Sequence, residues 1–316
     1  MLCKKRSSFK NCAERELEAS GNGRYFSLNV PAAIGCVIVR PVAEFLKRHV
    51  WIVFLAHQLL IFSLAVGFLT SVRRLTGRTI HAGRDPIGPI DGAILVILSI
   101  VVIAITWALY HWVKGKDAPS LGLKPSLHRL IELIAGLLIG FVVAITPYIT
   151  ALLSGTASVQ DQITAHFSYP TAAKILSVAF FLLLLQSVME ETANRAFPMR
   201  LWDHRSLIFR IVVPSIFFAA LHLADEQFSL ERIVILLLGG IVQSLAYALT
   251  GNIWLTSGLH AGANSASFSL SGLWHAGGVV AVVGWVSYSK WASLLLMFIA
   301  FSIAVGISRK FFNQRE

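Results

Sequence analysis

Cysteine is nearly missing from this chain, and charge is scarce. Only Cys3, Cys12 and Cys36 occur among 316 residues, all near the N-terminus and without metal-type spacing, so a disulfide framework is not expected. Asp, Glu, Lys and Arg make up 14% of residues against a mean hydropathy of +0.70, which excludes an ordinary soluble domain. Acidic residues number 16 against 27 basic ones, a net charge of +11. The basic residues sit between apolar runs and form no stripe on a soluble fold, so the excess points to anionic lipid and away from nucleic acid. No internal repeat and no low-complexity tract is present, and the first fifty residues, with nine Lys or Arg and no long apolar run, do not resemble a secretory signal.

What is present is a series of apolar runs near the ~20 residues a helix needs to cross a bilayer. They define an all-α, polytopic membrane helical bundle of about eight transmembrane helices: 51–71, 93–113, 130–153, 173–201, 206–224, 232–250, 252–270 and 288–308. Residues 1–50 read as a basic cytosolic arm, in which Lys4, Lys5, Arg6 and Lys10 face an anionic leaflet. Residues 51–128 read as an accessory transmembrane pair with loops, 129–308 as the membrane core and 309–316 as a basic tail. With both termini cytosolic, 20 Lys or Arg fall inside and seven outside, as the positive-inside rule requires of a plasma-membrane protein. Arg73, Arg74, Arg78 and Arg84 dissent, in a loop expected on the outer side.

The stretch Gln186 to Phe197, following the apolar run Ile175 to Leu185, places Glu190, Glu191, Asn194 and Arg195 within two helical turns. An ionisable side chain deep in a bilayer costs at least ~2.5 to 3.5 kcal/mol, so such a cluster needs partners or a function. Two further motifs stand on other spans: Phe218-x-x-x-His222, and His260-x-x-x-Asn264. Residues four apart share a helical face, so Glu191 is expected to pair with Arg195 while Glu190 points about 100° away. A carboxylate beside Arg stays ionised; one in a poorly hydrated cavity near a like charge becomes the better base. That assigns Glu190 as base, with Glu191 and Arg195 as its support. His260 and Asn264, on one face, are placed to meet a developing oxyanion.

Depth is a test of this grouping. Measured from the turns near Asp203 and Gly251 at ~1.5 Å per residue, Glu190, His222 and His260 lie ~19, ~27 and ~14 Å deep. The agreement requires span four to run unbroken from 173 to 201. Taken singly, each residue also has a bland reading: a buried ion pair for Glu191 and Arg195, interhelical hydrogen bonding for either His, packing for Phe218. His57, Gln58, Gln243 and Ser244 read as interhelical hydrogen bonders, and the pairs Gly136/Gly140 and Gly258/Gly262 as sites of close helix approach.

In these motifs the chain resembles the CPBP or Abi intramembrane proteases, the group that includes the eukaryotic CAAX prenyl protease of the Rce type. The family's Glu-Glu-x-x-x-Arg, Phe-x-x-x-His and His-x-x-x-Asn/Asp are matched by Glu190, Glu191 and Arg195, by Phe218 and His222, and by His260 and Asn264, over roughly residues 171–270. Ala196 departs from a frequent Gly, and Asn194 from a frequent aromatic. The resemblance implies peptide hydrolysis in the membrane, with Glu190 and His222 activating a water and Asn264 with His260 stabilising the tetrahedral intermediate. It implies no cofactor. Zinc is the rival, since one Glu and two His are also a hydrolytic zinc set, although no His-Glu-x-x-His helix or Gly-x-Gly-Asp signature occurs.

The expected function is therefore a membrane endopeptidase acting on a membrane-associated peptide or protein within the lipid bilayer. Two alternatives of other classes stay open: a non-catalytic binding, immunity or scaffold protein that keeps the motifs, and a transporter with an intramembrane ion site.

Overall fold

The computed structural model describes residues 40–76, 89–222, 230–271 and 278–284. The arm up to residue 39, the 77–88 connection with Arg78 and Arg84, the expected span at 288–308 and the basic tail lie outside the described residues. The chain divides into two units, Met1–Arg48 and His49–Glu316. The first carries helix α1 (Arg40–Arg48), which ends on Lys47 and Arg48, favourable charges for a helix C-terminus. All that follows belongs to the second.

Helices α2 (Val50–Thr76), α3 (Pro89–Lys114) and α4 (Leu127–Leu153) contain apolar stretches long enough to cross a membrane. So do α5 (Tyr169–Leu201) and α7 (Leu230–Thr250). Two more helices are shorter, α6 (Leu207–Leu221) and α8 (Trp254–Ser269), at ~1.5 Å per residue only some 22 to 24 Å long. Large apolar side chains such as Leu138 (64% exposed) and Phe181 (56% exposed) point outward. On a soluble protein that surface would aggregate; around a bundle it is what lipid covers. The protein is an integral membrane helical bundle.

Glycine sets the closest contact. A Cβ on Gly136 would fall on the Leu255 carbonyl oxygen and lie 3.0 Å from the Gly258 Cα, and one on Gly140 would meet the Leu259 carbonyl and, at 3.0 Å, the Ala263 nitrogen. Reciprocally, Gly258 and Gly262 abut Leu133 and Leu137 of α4. The two Gly-x-x-x-Gly faces thus lock α4 and α8 backbone to backbone. His260 lies two residues from each α8 glycine, about 200° around the helix, so its side chain leaves on the side opposite α4.

Helix α5 does not stop at the charged cluster. Its α-helical part, Tyr169–Glu191, passes through a π turn, Thr192–Ala196, into a last α turn, Phe197–Leu201. Pro198 supplies the cause: it has no N–H for the Asn194 carbonyl one turn back, and its ring crowds that position. Arg195 Nη1 takes up the orphaned carbonyl at 3.4 Å. Trp202 then caps the helix, fully buried against Trp51 and Phe54 of α2 and Phe209 of α6.

One end of the bundle gathers the 114–129 connection, the turn after α5 and the turn after α7. Lys114 Nζ donates to Asp203 Oδ1 at 2.7 Å, Tyr247 to the Leu121 carbonyl at 3.2 Å, and Arg200 to Tyr247 and to the Gly251 carbonyl. The other end carries an antiparallel pair that the sequence does not announce, β1 (Ala157–Gln162) with β2 (Val280–Gly284). An open two-stranded sheet leaves backbone groups unpaired, so it belongs outside the hydrocarbon.

Candidate active site

The site grows from the π turn. All five residues Thr192–Ala196 are buried, as are Glu191 and Arg195 at 0% exposure. Arg195 lies with Nε 3.7 Å from Glu191 Oε2, an ion pair too long to be a hydrogen bond. Its guanidinium is held elsewhere: Nη2 donates to Gln243 Oε1 of α7 at 2.7 Å, and the plane stacks over the Phe218 ring at 4.1 Å. A cation over an aromatic face is stabilised by the ring quadrupole, most when water is excluded.

His260 of α8 stands between the two glutamates. Its Nδ1 donates to Glu191 Oε1 at 2.9 Å, and its Nε2 faces Glu190 Oε2 at 3.8 Å. Glu190 Oε1 accepts a hydrogen bond from Gln186, one turn earlier on α5, at 2.8 Å. The Glu190 side chain is 16% exposed and that of Glu191 0%. The two carboxylates therefore have unlike surroundings, one sealed and one open. With Arg195 charged, two ionised glutamates leave one unit of negative charge in the cluster. A single proton on His260, or between His260 and Glu190, balances it.

His222 follows α6 as its C-cap. Its Nδ1 donates to the Phe218 carbonyl at 2.8 Å, satisfying one of the helix's orphan acceptors and leaving Nε2 as an acceptor in the neutral ring. The Phe218 ring meets His222 at 4.7 Å and His260 at 6.0 Å, both edge to face. Phe218, read in the sequence as packing, is thus the surface on which Arg195 and both histidines converge. Asn264 lies one turn beyond His260 on the same face of α8, half-buried.

Two glutamines enlarge the set. Gln243, expected to be an interhelical hydrogen bonder, is one, and the residue it serves is Arg195. Gln186 had no assigned role; its position four residues before Glu190 was the only sign. His57 bonds Thr106 of α3 at 2.9 Å and stacks on Phe197 at 4.3 Å, bracing the π turn from behind. Among the described residues, no three or more His, Cys, Asp or Glu side chains are grouped so as to hold a metal ion.

Residues 172–266 match the model of a family described as type II CAAX prenyl endopeptidase Rce1-like. The match spans a little under a third of the chain and contains all three motifs, in agreement with the resemblance drawn from them. It supports a membrane endopeptidase with a membrane-associated substrate. Neither a curated protein nor a solved structure matches the chain.

Proposed function

We propose that the protein is a glutamate-dependent intramembrane endopeptidase. The observation that carries the reading is the unequal pair: Glu191, sealed between Arg195 and His260 Nδ1, fixes the imidazole, while Glu190 stays partly open beside His260 Nε2. In this reading Glu190 Oε2 takes a proton from a water as the water oxygen bonds to the scissile carbonyl carbon. His222 Nε2 accepts the second water hydrogen, the role its bonded Nδ1 leaves it. Protonated His260, balanced by two carboxylates, and Asn264 donate to the oxyanion. The C–N bond then breaks as Glu190 returns the proton to the amine.

The positive-inside distribution supports a plasma-membrane orientation with both termini cytosolic, and hence cleavage on the cytosolic side of the midplane. The division into an accessory pair at 51–128 and a core at 129–308 belongs to the same proposal. No cofactor is part of it.

The test compares purified wild type and Glu190→Gln in nanodiscs, given membrane-anchored peptides with and without a farnesylated C-terminal CAAX box, with and without a strong zinc chelator, products read by mass spectrometry. Cleavage by wild type alone, indifferent to chelator, is expected. Chelator-sensitive cleavage replaces the mechanism with a zinc one. Function retained by Glu190→Gln overturns the proteolytic reading in favour of a binding protein.

A further inference from the structure

We propose that Gln186 is a positioning residue that decides which oxygen of Glu190 acts as the base; this rests on the reading of Glu190 as that base. Gln186 opens the polar stretch at the end of a long apolar run, where an amide must find a partner or go unsatisfied. Its partner is Glu190 Oε1, reached at 2.8 Å along the i to i+4 direction. The orientation of the amide is dictated: the reverse flip would set its carbonyl oxygen against a carboxylate oxygen, two acceptors with nothing between them.

The consequence is asymmetry within one carboxylate. Oε1 has a fixed donor on it, so a proton arriving at Glu190 goes to Oε2, the atom 3.8 Å from His260 Nε2. Without Gln186, rotation about the terminal torsion makes the oxygens equivalent, and half of the orientations turn the protonated oxygen away from His260. Gln243 performs a different service: its Oε1 accepts from Arg195 Nη2. The two glutamines are thus not interchangeable packing residues.

The experiment uses full-length protein in nanodiscs with glutamate labelled at the side-chain carboxyl carbon. Infrared or carbon-13 spectra are titrated for wild type and Gln186→Met, a volume-conserving change, with Glu190→Gln subtracted to isolate the Glu190 signal. In Gln186→Met the Glu190 protonation midpoint is expected about one pH unit higher than in wild type, from the loss of one hydrogen bond to a charged group. The acid limb of kcat/KM on the peptide cleaved by wild type follows it, with roughly a tenfold loss at the optimum. A midpoint and pH profile that stay put, even with lower yield or rate, overturn the proposal, since a structural role alone moves neither. Should Gln186→Met fail to fold, Gln186→Asn, which withdraws the amide by one methylene, is read in the same titration with the same two outcomes. A shifted midpoint in protein that cleaves no peptide leaves Gln186 as the residue that fixes Glu190 and overturns the endopeptidase reading instead.

Discussion

Glu191 and His260 meet at 2.9 Å in the interior of the bundle, one on α5 and the other on α8, and the glutamate has no exposed surface at all. The bond ties the imidazole to the sealed carboxylate and turns its other nitrogen toward the open one. The glutamates therefore differ in what their loss does.

Glu190→Gln removes the proposed base and keeps the shape. Cleavage is expected to fall by about 10²–10⁴ with little change in thermal unfolding, the scale of lost general-base catalysis. Paired kinetics and detergent-phase melting separate the two effects.

Glu191→Gln removes the carboxylate paired with Arg195 and with His260 Nδ1, and a broken buried pair costs on the order of 3–5 kcal/mol. A large drop in melting temperature is expected along with lost activity. The double change Glu191→Leu with Arg195→Met recovers stability and not turnover, because apolar residues of similar volume replace a buried pair at little cost. Additive losses in the double variant would show that the two residues do not act as a pair.

The glycine seam holds His260 in place. Gly258→Val drives a side chain into the Leu133 carbonyl and is expected to cost about 1–3 kcal/mol and most of the activity. Gly67→Ala in α2, where a Cβ meets nothing within 4 Å, is the control, with stability unchanged or raised. Equal behaviour of the two variants would remove the seam from the account.

At the end of the bundle that gathers the α5 and α7 turns, Asp203 titrates below the ordinary carboxylate range. Partial burial alone would raise it, but the hydrogen bond and charge of Lys114, with a smaller contribution from His204, outweigh that. A carboxyl lowered on folding contributes stability that is present above its unfolded value and is lost as pH falls through the lower folded one. Lys114→Ala is expected to shrink this contribution by about 0.2–1 kcal/mol, as for an exposed pair, and to flatten stability against pH between roughly 4 and the acid end. Urea or thermal unfolding at pH 3 and pH 6 measures it.

Much of this architecture is legible in the sequence, and the boundary of legibility is physical. Apolar length marks α2 to α5 and α7, and spacing puts Glu191 with Arg195. The two glycine pairs show where helices approach, although only the fold says that they approach each other. Phe218 could not be placed, because a lone ring on an apolar span has no spacing to betray its partner, whereas Gln186 stands four residues before Glu190, a spacing open to reading. The π turn was open to reading, since Pro198 sits three residues past Arg195 inside a helical run. The strand pair was not, because β1 lacks clean alternation and its partner lies more than a hundred residues away.

That distance orders the assembly of the molecule. β1 is synthesised directly after α4, but Val280–Gly284 follows α8, and Ser269 and Leu270 at the end of α8 hydrogen-bond to Val279 and Val282. The pairing cannot close until α5, α6, α7 and α8 have all been synthesised. The small sheet is therefore a latch that engages only after Glu190, His222 and His260 have all been made.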